Sequence, residues 1–177
     1  IELAKLALEP RAIDAGVGVA TINAAINQEI KESGDILEHL NLQDNDSIGM
    51  IGNFKPVVNN IDKNLEIKVF EKNPQEEEIY PDWAAEQLLP KQDVVIISGT
   101  TLVNKTIDHL IEISKNAREI VILGPTTTMA PEIFKKRGVT ALGGTIVKEP
   151  EKAFKIISQG GGTRTLHKAS KKVNLLL

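Results

Sequence analysis

Residues 93–124 read DVVIISGTTLVNKTIDHLIEISKNAREIVILG, and this stretch decides the fold. It predicts an apolar strand over Asp93–Ser98, an amphipathic helix over Leu102–Ser114 and a second fully apolar strand over Ile120–Leu123. Strands without a polar face that are separated by a helix are typical of a parallel sheet covered on both sides. The stretch therefore predicts an α/β domain.

The alternation of strand and helix continues in both directions from this stretch. The other elements that we predict are strands over Ser47–Ile51, Leu65–Phe70 and Val139–Val147, and helices over Phe54–Ile61, Pro131–Arg137 and Pro150–Ser158. Right-handed crossovers between parallel strands favour a Rossmann-like, doubly wound sheet. We predict five parallel strands, in the order 3-2-1-4-5 when they are counted along the chain.

The composition excludes several classes of protein. The chain has 177 residues, of which 41% are hydrophobic and 25% charged, as in ordinary globular domains. Its net charge of -3 predicts no nucleic-acid partner, and no run reaches the roughly 18 apolar residues of a membrane span. Cysteine is absent, which removes disulfides, thiolate metal ligands and cysteine nucleophiles. We expect a cytoplasmic protein.

The two ends of the chain differ from the alternating region. Residues 1–40 are predicted to be helical, with one long helix from Ala12 to Ile30. Gly16 and Gly18 weaken such a helix, so we expect another backbone to pack closely against them. The tail over residues 168–177 receives no role.

Small and polar residues follow the predicted strands, at the edge where ligands bind in open α/β sheets. They are, in chain order, Gly52, Asn53, Glu71, Thr100, Thr101, Asn104, Gly124 and Thr126. Free N–H groups at helix starts make such an edge favourable for anions. The alternative interpretation is structural, because threonine and asparagine are common helix caps and glycine is common in turns. Their concentration on one edge favours a ligand cleft.

A weaker signal suggests a nucleotide. Gly49 and Gly52 are followed by Glu71, an acidic residue about 20 positions on that can hold a ribose. The full glycine fingerprint of dinucleotide-binding proteins is missing. An enzyme that uses a dinucleotide or S-adenosylmethionine in the same cleft therefore stays an alternative.

A glycine-rich segment follows the last predicted helix. Gly160 would end that helix, and Gly161 and Gly162 would let the backbone approach a ligand closely. We predict that the chain then turns across the cleft, so that Thr163 and Arg164 approach the loops at Thr100 and Thr126. Arg164 would bind a carboxylate or phosphate. The alternative is a flexible hinge to the tail.

The histidines give no metal signature. His39, His109 and His167 share no ligand spacing, and His109 is predicted to lie on a solvated helix face beside Asp108. No nucleophile and base are placed together by the sequence, so it leaves open whether a reaction is catalysed.

Five segments together resemble the putative heavy-metal chelation family, in which an enolase N-terminal-like domain precedes a Rossmann-like domain. They are AGVGVATINA at residues 15–24, IGMIGNFKP at 48–56, SGTTLVNKT at 98–106, LGPTTT at 123–128 and GGGTR at 160–164. The resemblance implies that a β-meander precedes Ile1, that residues 1–44 are the helical part of the first domain, and that residues 45–167 form the second. It also implies a site between the domains, with Asn23 from the first and Asn53, Glu71, Thr100, Thr101, Asn104, Thr126 and Arg164 from the second.

The residue types in the chain limit the kind of metal that the implied site could bind. Without cysteine or paired histidines, the chain lacks the soft ligands that usually select transition metals. Its carboxylate, amide and hydroxyl groups suit a hard cation or, better, an already chelated metal or a small organic anion. We therefore expect a protein that binds a metal ion, a metal chelate or a small anionic molecule in the interdomain cleft. A non-catalytic scaffold is the third alternative, and a homo-oligomer is left open.

Overall fold

The computed structural model describes residues 1–27, 30, 32, 34, 36–61 and 64–177, except for the side chain of Arg164. Its α-helices are α1 (Glu2–Lys5), α2 (Ala12–Ile26), α3 (Lys55–Asn60), α4 (Ala85–Leu88), α5 (Ile107–Ile113), α6 (Pro131–Lys135), α7 (Pro150–Ser158) and α8 (Thr163–Leu166). Its strands are β1 (Ser47–Ile51), β2 (Glu66–Glu71), β3 (Tyr80–Pro81), β4 (Val94–Ser98), β5 (Glu119–Leu123), β6 (Ala141–Val147) and β7 (Ser170–Leu176). Short 3-10 helices cover Leu6–Leu8, Ile36–His39, Asp82–Ala84, Leu89–Lys91 and Gly99–Leu102.

The strands form one sheet in the order β3-β2-β1-β4-β5-β6-β7. The first six are parallel to their neighbours, and β7 pairs with β6 in antiparallel fashion. The predicted Rossmann-like, doubly wound α/β fold is confirmed.

The predicted strand order and strand number are wrong. Counted as in the sequence prediction, the five expected strands lie in the order 2-1-3-4-5, because β4 pairs with β1 and not with β2. β4 is fully apolar and needs a neighbour on each side, whereas β2 carries the exposed Glu66 and lies nearer an edge. The two-residue strand β3 and the tail strand β7 bring the total to seven.

Alternate residues of the central strands face two separate apolar layers. Val95 and Ile97 of β4 pack with residues of α4, α5 and α6 on one face. Val94 and Ile96 pack on the other face, against α3 and the 3-10 helix Ile36–His39. Because helices cover both faces, ligands can reach the sheet only at its ends.

At the amino ends of the strands, a charged cluster is already fully paired. Two guanidinium nitrogens of Arg118, which precedes β5, donate to the carboxylate of Asp46, at 2.6 and 3.2 Å. The hydrogen bond from Arg118 lowers the pKa of Asp46, and the hydrogen bonds from Ser47 lower the pKa of Asp93. This cluster joins β1, β4 and β5 at their amino ends. Because its charged groups bind one another, a ligand site is expected at the carboxyl ends of the strands instead.

The N-terminal helices form a small unit attached to this domain. A Cβ built on Gly18 would lie 1.9 Å from the backbone nitrogen of Ala7, so the predicted close packing holds there. Gly16 has open space instead. The ammonium of Lys105 donates to the carbonyl oxygen of Ala7 and links the unit to the sheet domain. Helix α2 ends at Ile26, earlier than predicted, and residues 28 and 29 of the predicted helix lie outside the described residues.

The glycine segment ends helix α7 and reverses the chain. Gly160 has φ +78°, and the amides of Gly160 and Gly161 donate to the carbonyl oxygens of Ile157 and Ile156. This is a Schellman motif, which glycine favours because its φ can be positive. Helix α8 then leads into β7, whose Val173 is fully buried. The tail is therefore part of the sheet.

Candidate functional site

The chain leaves β1 towards β2 on one side and β4 towards β5 on the other, so the crevice between β1 and β4 is the topological switch point. In open α/β sheets this crevice is the usual ligand site. Phe54 partly fills it. Ring atoms of Phe54 lie 3.4 and 3.6 Å from Cβ positions built on Gly52 and Gly124, both of which have positive φ. The ring therefore lies over the two glycine turns, where a dinucleotide would place its pyrophosphate.

Two cavities lie along this rim and share no lining residue. The first has a volume of about 350 Å³, and we call it the switch-point cavity. The second has a volume of about 620 Å³ and lies against α2, and we call it the interdomain cavity. Both volumes suit a small ligand. The single cleft expected from the sequence is thus divided.

Glu71, at the end of β2, forms one wall of the switch-point cavity. Its carboxylate Oε1 accepts a hydrogen bond from the backbone N–H of Asn53 at 2.7 Å. Glu71 thereby fixes the turn after β1. Asn53 itself does not line the cavity, whereas Gly52 does.

Hydroxyl groups at the end of β4 and just after it line the switch-point cavity. The Ser98 and Thr100 hydroxyl oxygens lie 2.8 Å apart, and the buried Thr101 hydroxyl donates to the carbonyl oxygen of Ser98 at 2.6 Å. Thr101 is therefore committed to the local turn. Thr100 is exposed and keeps capacity for a ligand.

Asn104 lines the same cavity and is partly committed. Its side-chain oxygen accepts from the Thr106 hydroxyl at 2.6 Å and from the Thr106 backbone N–H at 3.1 Å. This pattern is an Asx turn, which fixes the chain at Thr106, the residue before α5. The amide nitrogen of Asn104 is the part that can donate to a ligand.

The structure adds a polar pair that the sequence missed. Glu86 of α4 and His109 of α5 both line the switch-point cavity, and Glu86 Oε1 contacts His109 Nε2. The buried neighbours Ala85 and Leu110 anchor the two helices and leave both side chains on the outer surface. His109 is on a solvated face as predicted, but that face also borders a cavity and carries a carboxylate partner.

The charges of the switch-point cavity are mostly negative. Glu71, Asp82 and Glu86 contribute carboxylates, and Lys72 contributes one ammonium. Trp83 lies among them with 68% of its surface exposed. A free anion would be repelled by three carboxylates, so the lining disfavours the small anionic ligand considered from the sequence.

The interdomain cavity has a different character. Helix α2 supplies small residues along one side, and the end of β6 supplies Thr145, Ile146 and Val147. Asn23, Asn27 and Thr126 are among the polar residues in its lining, and none of the described residues that line it is charged. Its described lining offers apolar surface and amide and hydroxyl groups, but no carboxylate or imidazole for a metal.

Asn23 and Asn27 fasten α2 to the loop after β5. Asn23 donates to the Thr126 carbonyl oxygen at 2.9 Å and accepts from the Thr128 hydroxyl at 2.5 Å. Asn27 donates to the Thr127 carbonyl oxygen at 2.8 Å. As predicted, the helix around Asn23 packs at the carboxyl ends of the strands. Each amide keeps one donor and one acceptor position beyond these bonds.

The remaining predicted residues lie away from both cavities. Gly124 packs against Phe54, Gly161 and Gly162 belong to the turn between α7 and α8, and Thr163 is the first residue of α8. None of these four lines either cavity. Arg164 lies in α8, and its side chain is outside the described part of the chain. That these residues bind a ligand stays a prediction.

Two kinds of feature were not found among the described residues, a cluster of metal ligands and a membrane-spanning helix. Within the described residues, no group of three or more histidine, cysteine, aspartate or glutamate side chains is arranged to hold a metal ion. None of the helices in those ranges is both long enough and apolar enough to span a bilayer.

Comparison with known proteins gives consistent matches. A family model with the description "Putative heavy-metal chelation" matches residues 35–176. The chain is 34% identical, over 173 residues, to an uncharacterized protein of Methanocaldococcus jannaschii. That match covers 92% of this chain and 66% of the relative, so the chain spans slightly less than two thirds of the relative's length.

Two solved structures share the fold. A protein of unknown function from Desulfitobacterium hafniense superposes with a TM-score of 0.84 at 30% identity, covering 99% of this chain and 73% of the other. A protein of unknown function from Pyrococcus horikoshii gives a TM-score of 0.89 at 31% identity, covering 99% and 74%. These coverages include both the sheet and the N-terminal helices.

Proposed function

Because the chain belongs to the DUF364 family, described by the words "Putative heavy-metal chelation", we propose that it binds a metal already held by a small organic chelator. We place this ligand in the switch-point cavity. The observation that carries the proposal is the contact between Glu86 and His109 in the wall of that cavity. Carboxylate oxygen and imidazole nitrogen are both ligands of first-row transition metals.

The number of protein ligands favours a chelate over a bare ion. A closed metal site needs four or more ligands, and tetrahedral zinc sites supply them from the protein. This cavity brings together one such pair, and no larger cluster occurs among the described residues. A metal that brings its own organic ligands, with two coordination positions open, would match what Glu86 and His109 offer.

The other lining groups suit the organic part of such a ligand. The Thr100 hydroxyl can donate or accept, and the Asn104 amide nitrogen can donate. Glu71 has one carboxylate oxygen beyond the bond with Asn53. By contrast, Phe54 covers the glycine turns, so the dinucleotide alternative receives no support from the geometry.

The proposal also covers the domain organisation of the chain and its location in the cell. We propose that residues 1–44 belong to a first domain whose helix α2 closes the interdomain cavity, and that the sheet domain carries the chelate site. We also propose a cytoplasmic location, which agrees with the absence of cysteine. We assign no reaction.

Calorimetric titration of tag-free protein tests the chelate site. The probes are nickel–nitrilotriacetate, whose tetradentate chelator leaves two coordination positions open, and nickel–EDTA, whose hexadentate chelator leaves none. We expect the first to bind through its two open coordination positions, weakly because its single negative charge is repelled by the carboxylates of the cavity, and the second not to bind. Glu86→Gln and His109→Gln should each weaken binding by more than the roughly 10–100-fold that loss of an outer-shell partner costs.

Glu112→Gln is the matched control. Glu112 lies on α5 in an exposed ion pair with Lys115, and it lines neither cavity. Its substitution removes the same surface charge as Glu86→Gln and should leave nickel–nitrilotriacetate binding unchanged. Equal binding of both nickel complexes, or unchanged binding after both cavity substitutions, would overturn the proposal.

A further inference from the structure

We infer that the ligand of the switch-point cavity has a planar aromatic ring, which stacks on Trp83, and carries no net negative charge. The inference rests on the proposed function and names the chemical class of its chelator. It is carried by the juxtaposition of Trp83 with Asp82, Glu86 and Glu71 in one cavity lining.

Trp83 is held outward by its own turn. It lies in the 3-10 helix Asp82–Ala84, and its neighbours Ala84 and Ala85 are buried. Those two small side chains pack the turn against the core and leave the indole on the cavity side. It is the only tryptophan in a chain with 3% aromatic residues. Leaving so large an apolar ring in water is unfavourable, and a ligand that covers it would recover that free energy.

Among the described residues, the indole of Trp83 also has no aromatic partner. The ring pair found among the described residues is Phe70 with Tyr80, whose centroids lie 5.7 Å apart. Tyr80 is thus committed to the end of β2. Within the same part of the chain, the indole of Trp83 has neither a ring partner nor a hydrogen-bond partner, although its backbone carbonyl accepts from the N–H of Ala85. Its face is available for stacking.

The surrounding charges select among planar ligands. Three carboxylates and one ammonium line the cavity, and the face of an indole is itself negative. Both features attract cationic or electron-poor rings and repel anionic ones. A nitrogen heterocycle that binds a metal meets these conditions, because the metal makes its complex positive and the ring stays planar. An aliphatic polycarboxylate chelator meets neither.

Titration with two nickel complexes tests the inference. Nickel–bipyridine carries a planar aromatic ligand and is cationic, whereas nickel–nitrilotriacetate carries an aliphatic ligand and is anionic. We expect the wild-type protein to bind nickel–bipyridine at least about tenfold more tightly, a ratio within the range of aromatic stacking and cation–π contacts. Trp83→Leu, which keeps the apolar area but removes the ring, should weaken nickel–bipyridine binding and so reduce that preference, leaving only the part that the carboxylates cause. Trp83→Phe, which keeps a ring, should retain most of it.

Two different outcomes of these titrations distinguish a failure of this inference from a failure of the proposed function. If nickel–nitrilotriacetate binds through Glu86 and His109 but Trp83→Leu does not change the preference, the ring inference fails and the chelate site stands. If metal-free bipyridine quenches the fluorescence of the single tryptophan but no nickel complex binds better, the chelate site fails and the ring inference stands.

A second copy of the chain is the other occupant that Trp83 could contact. Sedimentation velocity of the wild-type protein and Trp83→Leu tests this. We expect the same oligomeric state for both, because a ligand covers the ring. A dimer that dissociates on Trp83→Leu would overturn the inference.

Discussion

The side-chain amide of Asn27 donates a hydrogen bond to the carbonyl oxygen of Thr127 at 2.8 Å, across 100 positions of sequence. Both residues are buried, and the Asn27 oxygen also accepts from the backbone N–H of Met129 at 2.8 Å. One amide therefore satisfies two backbone groups of the loop after β5. This contact holds α2 over the carboxyl ends of the strands and closes the interdomain cavity.

Asn27→Ala tests this clamp. The substitution leaves a buried carbonyl oxygen and a buried N–H without partners, so we expect a loss of about 1–3 kcal/mol in the free energy of unfolding. Urea denaturation measures it. Asn116→Ala, at an exposed position, should cost less than about 0.5 kcal/mol. Equal midpoints for the two variants would show that α2 is not held by this amide.

The two glycines of α2 predict opposite effects of the same substitution. Gly18→Ala would place its Cβ against the backbone of Ala7 and should destabilise the protein by about 1–3 kcal/mol. Gly16 has nothing within 4 Å of a built Cβ, so Gly16→Ala should stabilise the helix by roughly 0.5–1 kcal/mol. Thermal unfolding of both variants measures the difference. A shift of the same sign in both would contradict the packing of Leu6–Leu8 against α2.

Strand β7 should contribute to global stability. Val173 is fully buried, whereas Val147, at the end of β6, is 51% exposed. Val173→Ala should cost about 1.5–3 kcal/mol through lost burial and a residual cavity, and Val147→Ala should cost less than about 1 kcal/mol. Denaturant unfolding compares them. If Val173→Ala behaves like its exposed counterpart, the tail is not a strand of the sheet in solution.

The Asp46–Arg118 pair predicts a pH dependence of stability. The pKa of Asp46 lies below its ordinary value of 3.8, chiefly because Arg118 donates to the carboxylate. Its stabilising contribution is therefore complete above pH 3.8 and is lost as the pH falls through the lowered folded-state pKa. Asp46→Asn should lower stability at neutral pH and flatten the acid limb below pH 3.8. The measurement is a series of urea midpoints from neutral to acid pH.

Asp44→Asn is the control for that series. Asp44 is exposed and has no ion-pair partner among the described residues, so its substitution should leave the acid limb unchanged. An identical pH profile for Asp46→Asn and the wild-type protein would contradict the assigned role of the Arg118 hydrogen bond.

The strands could be predicted because a buried strand is visible in the sequence as a local run of apolar residues. Val94–Ser98 and Glu119–Leu123 are apolar runs, and they form adjacent central strands. The order of strands is not local, because it depends on which long-range pairs form. The sequence nevertheless contained evidence against the predicted strand order. The order 3-2-1-4-5 would have placed the fully apolar β4 at an edge, while Glu66 and Lys68 of β2 indicate a strand with a solvated side.

The site could be predicted in part for the same reason. The residues after each strand reach the rim by topology, so Gly52, Glu71 and Thr100 lie together in the switch-point cavity. Glu86 and His109 belong to helices, and their contact depends on how α4 and α5 pack. Neither residue follows a strand directly. The tryptophan between the acidic residues Asp82 and Glu86 was the sequence feature that could have indicated this wall of the cavity.

Anomalous diffraction at the nickel edge tests the central claim most directly, with crystals of tag-free protein containing nickel–nitrilotriacetate. We expect the strongest peak about 2.0–2.2 Å from Nε2 of His109 and from a carboxylate oxygen of Glu86, the range of zinc bonds to these groups. Density for the chelator should extend into the switch-point cavity. A peak found only at His39 or His167, or a nickel ion at Glu86 and His109 without its chelator, would contradict it.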